Sequence, residues 1–321
     1  MLEPAKVSDV GVGLRVGVKE LLQGSSQLQD VLEASLNDGV NLIDIVNTIG
    51  IGRVEKRVNK ALRELECRDQ LFIITKGGVR WDSNGRMCPD GDPDNIQKSV
   101  RDSLQLLGVD TIDCYQIYWP DEEIPFAETM AALKELKKEG SIRYTGVTNF
   151  SVDQIEKASE GGPVDFVQFP YSLFQRQAEK TLMPYCNKKG IDTFAYGVLC
   201  RGLLTDDFLE KGALEFDTMQ SSLAHVKENF PLYRKAVDKI SGYLEKENIN
   251  QPLASSLIAW TLSHPSISHS LVVAHNIEQV DVIASALKVN LSSEQADKIT
   301  YIVQDIIGEN LEKDFITPPH S

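Results

Sequence analysis

Eight short runs of apolar, largely β-branched residues, at 7–13, 41–44, 71–76, 111–118, 142–147, 166–170, 192–196 and 270–273, alternate along this chain with longer stretches of helical periodicity. That order is the pattern of βα units around a parallel sheet. The helical stretches fall at 27–38, 54–64, 93–107, 126–139, 152–158, 178–189, 252–263 and 277–288, each with apolar residues spaced by three or four. Asp92-Pro93 marks one start, the aspartate able to cap free N–H groups and the proline suited to the first helical position. A chain of 321 residues with 42% hydrophobic content can fill the core such a fold needs. Eight strands and eight helices imply an α/β fold, a closed (β/α)₈ TIM barrel forming one domain over 1–321. Extra helices are expected near 227–247 and from about 294.

An open doubly wound sheet would place a glycine-rich phosphate loop after its first strand. Here Gly11-Val-Gly13 is followed by Leu14-Arg15-Val16-Gly17, and no G-x-G-x-x-G is completed. The isolated G-x-G reads equally as a tight turn or as a functional loop.

In a (β/α)₈ barrel the active groups stand at the C-terminal ends of the strands. Asp44, Lys76 and Tyr118 each fall at or near such an end, which gathers three polar side chains around one mouth. The net charge of −14 disfavours nonspecific binding to nucleic acid or to anionic membrane. Cys67, Cys88, Cys114, Cys186 and Cys200 are widely spaced, with no C-x-x-C pair and no metal-ligand pattern. They read as reduced thiols of a cytoplasmic protein. No signal region and no apolar run of about twenty residues is present. The partner these features leave is a small-molecule substrate.

The segment Asn41-Leu-Ile-Asp-Ile-Val-Asn-Thr-Ile-Gly50 resembles the D-T-A-x-x-Y-G of aldo-keto reductases. Asp44 matches the aspartate, and Ile49 stands where that family carries its proton-donating tyrosine. Ile112-Asp-Cys-Tyr-Gln-Ile-Tyr-Trp-Pro-Asp121 is similar to I-D-L-Y-Q-L-H-W-P-D, with Tyr118 in place of the active-site histidine. The family lysine falls on Lys76, in Leu71-Phe-Ile-Ile-Thr-Lys-Gly-Gly78. The resemblance runs from about Gly11 to Ala286. It implies hydride transfer from a nicotinamide cofactor by a site that has kept two of its four catalytic positions.

The same resemblance assigns a cofactor cradle. Gly146-Val-Thr-Asn-Phe150 is similar to G-V-S-N-F and puts Thr148 and Asn149 on the carboxamide, with Gln168 as third partner and Tyr196 where an aromatic ring stacks on the nicotinamide. The pyrophosphate loop is matched by Ala195-Tyr-Gly-Val-Leu-Cys-Arg-Gly-Leu-Leu-Thr205, with Leu199, Arg201, Gly202 and Leu203 as candidates. At the adenosine end Val273-Ala-His-Asn-Ile-Glu-Gln-Val-Asp-Val-Ile283 keeps Gln279 but has His275 for an arginine and Ile283 for an asparagine. Arginine holds a 2′-phosphate with a permanent planar charge and histidine does not, so the family preference for NADPH over NADH is open here.

A phenol is a poor acid at neutral pH unless a nearby ammonium favours its anion, and Ile49 supplies no phenol. Tyr118 is then either a relocated acid under the influence of Lys76 or an aromatic pocket wall. Asp44 and Lys76 are either catalytic or a buried structural pair. Ile49, Trp81 and Trp119 line the expected pocket, while Trp260, at apolar spacing on a helix, reads as core. Arg15 reads as an exposed loop residue, with a substrate or phosphate contact as the alternative. Three functions remain: a reductase that has moved to a conjugated C=C or an iminium, a non-redox cyclase, dehydratase or isomerase, and a silent NAD(P)H-binding protein.

Overall fold

In the computed structural model, which describes residues 7–15, 27–45, 52–211 and 224–308, eight strands close into a barrel in which every neighbouring pair is parallel. They are β1 (Val10–Leu14), β2 (Leu42–Ile45), β3 (Phe72–Gly77), β6 (Ile112–Ile117), β7 (Ile142–Thr148), β8 (Phe166–Pro170), β9 (Asp192–Tyr196) and β10 (His269–Val273). Between β3 and the next helix, β4 (Val79–Trp81) and β5 (Met87–Pro89) form a separate antiparallel hairpin. The expected (β/α)₈ barrel is therefore the fold.

The strands read as nearly unbroken apolar runs because both of their faces are covered. Inside the barrel, Leu42, Phe72, Ile74, Cys114, Phe166, Phe194 and Leu271 form a core of their own. Phe166 and Phe194 stack there with ring centroids 4.7 Å apart. The outward faces pack against the helices in a second, larger cluster. Gly11 explains how the barrel interior stays filled at β1: a side chain there would lie 2.6 Å from Leu42 and 2.7 Å from Leu271. Gly11-Val-Gly13 is thus strand interior, neither a turn nor a phosphate loop.

Several helices begin where local chemistry directs. Asp92 accepts hydrogen bonds from the backbone of Asp94 and Asn95 at the head of Pro93–Leu107, as its sequence implies. Ser151 and Gln154 close a capping box on Val152–Ser159, and Ser292 and Gln295 close another on Ser293–Ile307. The extra helix spans Ala224–Lys246.

Three expectations are corrected. The stretch 178–189 is not one helix but a 3₁₀ turn, Gln177–Lys180, and a helix, Leu182–Lys189, separated at Thr181, whose φ of −139° is not helical. Helix 277–288 ends as α-helix at Ser285 and finishes as a 3₁₀ turn, Ala286–Lys288. Residues 79–90, which fall outside every strand and helix read from the sequence, contain the β4–β5 hairpin, so Trp81 is the last residue of a strand.

Near the N-terminal ends of the strands, buried Asp113 on β6 accepts the backbone N–H of Ile73 at 2.9 Å, pairs with Arg68 at 2.9 Å and bonds Arg143. It ties β3, β6 and β7 together. Asp113→Leu is expected to cost about 1–3 kcal/mol, reduced by the exposure of the two arginines, and urea unfolding measures it.

Candidate active site

The barrel interior changes character towards the C-terminal ends of the strands, where the apolar layer gives way to Asp44, Lys76, Gln116, Thr148 and Gln168, all buried. Register explains the grouping. Lys76 on β3 lies beside Gln116 on β6, and Thr148 on β7 lies beside Gln168 on β8. On the outer face Gly77 lets β3 pack against Tyr115 and the helix Pro93–Leu107, since a side chain there would meet the Tyr115 hydroxyl at 2.0 Å and Ser99 at 3.2 Å.

Two hydrogen-bonded chains organise the layer. Lys76 Nζ donates to Asp44 Oδ1, and Gln168 Nε2 donates to Asp44 Oδ2 at 3.3 Å. On the other side Thr148 Oγ1 donates to Gln116 Oε1 at 2.8 Å. Each bond fixes a polarity. With its amide nitrogen committed to Asp44, Gln168 turns Oε1 into a buried position where it has no partner among the described residues. Thr148 has spent its proton on Gln116 and keeps its lone pairs. Two acceptors are thereby presented side by side to a donor such as a carboxamide NH₂.

Gln116 went unassigned in the sequence reading. The available signal was its place two residues before Tyr118 in the run 111–118 read as one strand, a spacing that sends both side chains to one face. Its Nε2 is also buried without a partner among the described residues.

Asn149 closes the ring above this layer. Its φ of 66° is left-handed, a conformation that asparagine tolerates better than most residues. Its Nδ2 donates to the backbone oxygen of Tyr118 at 3.2 Å, and its Oδ1 accepts the Tyr196 hydroxyl at 2.5 Å. The ends of β6, β7 and β9 are thus linked through one side chain.

Tyr118 follows β6 directly, half-buried, its ring packed on Trp119 with centroids 5.8 Å apart. Burial pushes its phenol well above the usual tyrosine range, the Asp44 carboxylate pushes it further, and Arg15 opposes them. The charges acting on it are those two rather than the expected Lys76, whose ammonium lies on Asp44. A group raised in this way keeps its proton through neutral and mildly alkaline pH. Any kcat/KM profile in which Tyr118 is the acid should therefore show no falling limb from it below about pH 9. A limb below that pH which shifts on Tyr118→Phe substitution would contradict this assignment.

After β9 the chain enters a 3₁₀ turn, Cys200–Gly202, in which Cys200, Arg201 and Gly202 all have positive φ, at 47°, 55° and 99°. Two non-glycine residues held there store strain, which a site aiming its backbone N–H groups would require. Arg201 and Gly202 are half-buried, and Leu199 is partly buried against the core. Leu203 is buried in the core, so only its backbone is available to a phosphate.

At the end of β10, His275 and Gln279 are exposed. Gln279 Oε1 accepts the His275 backbone N–H at 2.7 Å, which leaves the Gln279 amide nitrogen as its donor to a ligand. Ile283 is buried in the core, which accounts for an apolar residue in place of the family asparagine. Trp81 and Trp119 are half-buried, and Trp260 is core, stacked on Tyr171. Arg15 is half-buried rather than exposed. Ile49 lies outside the described residues.

The barrel agrees with what comparison with known proteins finds. The model of the aldo/keto reductase family matches residues 16–304, and the chain belongs to that family. It is 32% identical over 291 residues to aldo-keto reductase YhdN of Bacillus subtilis (strain 168), covering 90% of this chain and 87% of that protein. It is 34% identical over 289 residues to the NADH-specific methylglyoxal reductase of Escherichia coli (strain K12), covering 84% and 85%. Among solved structures, a glycerol dehydrogenase from Gluconobacter oxydans superposes with a TM-score of 0.84 at 30% identity, covering 97% of this chain and 96% of that one.

Proposed function

We propose that this chain is a nicotinamide-dependent oxidoreductase acting on a small molecule whose reducible bond needs little acid assistance, a conjugated C=C or an iminium. The observation that carries the reading is the buried, unpartnered Gln168 Oε1, oriented by Asp44 and set beside the acceptor face of Thr148. An orphaned buried acceptor is costly unless a ligand donor satisfies it, and a nicotinamide carboxamide offers that donor.

Thr148, Asn149 and Gln168 would hold the carboxamide, Tyr196 would supply an aromatic face, and the Leu199–Leu203 backbone with Arg201 would take the pyrophosphate. When bound, the reduced cofactor supplies a hydride. This chain's residues hold the acceptor, exclude water and control the proton. Tyr118, raised by burial and by Asp44, holds its proton tightly and is a weak donor. Such a donor suits an iminium, which needs no proton, or a conjugated alkene, where protonation follows hydride addition at carbon. A silent binding protein would have no use for so complete a cradle, and proton-transfer chemistry alone would leave Gln168 unemployed.

His275 supports acceptance of NADH alongside NADPH, because no permanent charge stands where the family places its arginine. The five free cysteines support a cytoplasmic setting.

Titration of the purified protein with NADH and with NADPH, followed by tryptophan quenching, tests the reading. Binding of both within about tenfold of each other is expected, with Gln168→Met weakening either by roughly 5–10-fold. Absence of binding by both nucleotides would sink the oxidoreductase assignment.

A further inference from the structure

Arg15 is the first residue beyond β1, and β1 runs between β2, which carries Asp44, and β10. It therefore stands at the mouth of the barrel. Its guanidinium is near enough to the Tyr118 phenol and to Arg201 to act on both. Arg201 in turn feels Tyr196, so Arg15 bridges the Tyr118 side of the mouth and the strained turn after β9.

Among the described residues Arg15 has no hydrogen-bond or ion-pair partner, and neither has the Tyr118 hydroxyl. The chain has 47 acidic residues against 33 lysines and arginines, and three other half-buried arginines use them. Arg68 sits on Asp113, Arg176 on Glu179 and Arg234 on Asp238. An Arg15 guanidinium with no carboxylate among the described residues, its charge acting on a second guanidinium in a half-buried mouth, is a favourable place for an anion. Trp119, packed on Tyr118, adds a buried indole N–H that also lacks an acceptor among the described residues. The Arg15 guanidinium, whose charge acts on the Tyr118 phenol, the Tyr118 hydroxyl itself and the Trp119 indole, whose ring packs on Tyr118, are three donors on this side of the mouth without an acceptor among the described residues.

We propose that Arg15 and Tyr118 form a subsite for a negatively charged group of the substrate, so that the molecule reduced carries a carboxylate or phosphate close to its reducible bond. This rests on the oxidoreductase reading above and names its substrate class. Arg15 fixes the anion by a charge-assisted, two-pronged contact, and the Tyr118 hydroxyl donates to the same group or to the neighbouring reacting atom. The cofactor's pyrophosphate is the other anion that the same chemistry would accept, and Arg201 lies on that side.

The two sources separate in a binding experiment that requires no turnover. Levulinate and methyl levulinate, a keto acid and its neutral ester, are titrated against the protein saturated with oxidised nucleotide and against the protein alone, by tryptophan quenching and equilibrium dialysis. The parent is expected to favour levulinate by about ten- to hundredfold. Arg15→Gln should abolish that preference while leaving nucleotide Kd within about twofold of the parent, and Arg15→Lys should retain part of it. Equal binding of acid and ester by the parent overturns the proposal. So does an Arg15→Gln variant that loses nucleotide affinity and keeps the preference, which would move Arg15 to the pyrophosphate. If no nucleotide binds but levulinate still binds in an Arg15-dependent way, the anion subsite stands and the oxidoreductase reading falls.

Discussion

Lys76→Met is expected to lower the stability of the fold by about 3–5 kcal/mol, the usual cost of removing one partner from a buried ion pair. Both side chains are almost fully covered, at 3% and 4% exposure, so water cannot take over the solvation of the survivor. Asp44 would be left with the amide of Gln168 as its side-chain contact among the described residues. The loss is of a partner, not of the pair's net worth, and a double variant shows the difference. Lys76→Met combined with Asp44→Leu removes both charges and should recover much of the stability, because burying two ions is itself expensive. Urea unfolding of the four proteins in the cycle measures this. A single variant within about 1 kcal/mol of the parent would show that Asp44 does not depend on Lys76 for its place in the core. The same cycle divides structure from function: the double variant, even if stable, frees Gln168 from Asp44 and should lose nucleotide affinity.

The parts of this site that were legible in the sequence had two sources. Asp44 and Lys76 are polar residues at the ends of apolar strands, and in a parallel barrel strand ends converge whatever the loops do, while Thr148, Gln168 and Tyr196 were legible through the family resemblance and fall at the same mouth. Their strands were legible because burial on both faces enforces apolar runs. What escaped depends on contacts between distant segments. Gln116 looks like one polar interruption in β6 until Thr148 and Lys76 are seen on either side of it. Arg15 reads as loop surface because only closure of β10 against β1 places it over the mouth. The break at Thr181 was hidden because a 3₁₀ turn continues the apolar spacing of the helix after it. The β4–β5 strands have three residues each, too few for a period of two to declare itself.

Ile49→Tyr combined with Tyr118→His is expected to create aldehyde reduction, raising kcat/KM for a simple aldehyde by about 10²–10⁴-fold over the parent, the range a positioned acid contributes. Position 49 is chosen from the sequence, since Ile49 follows Asp44 at the place where the family carries its tyrosine. Position 118 is chosen from the sequence too, as the place of the family's histidine, and the structure adds a reason. The phenol now at the mouth is raised by burial and by Asp44, and an imidazole in its place would bind a carbonyl oxygen without that burden. The Asp44–Lys76 pair would then serve the new phenol as it serves the family's, its ammonium favouring the phenolate and making the group a better acid near neutral pH. Tyr118→His alone should give no such gain, since it adds an orienting group without the acid. Steady-state rates with a short aldehyde and either nucleotide, beside circular dichroism of each variant, decide the matter. A folded double variant that binds nucleotide and still fails to reduce aldehyde would show that Lys76 and position 49 do not meet, and the site would have to be redrawn around Tyr118 and Arg15.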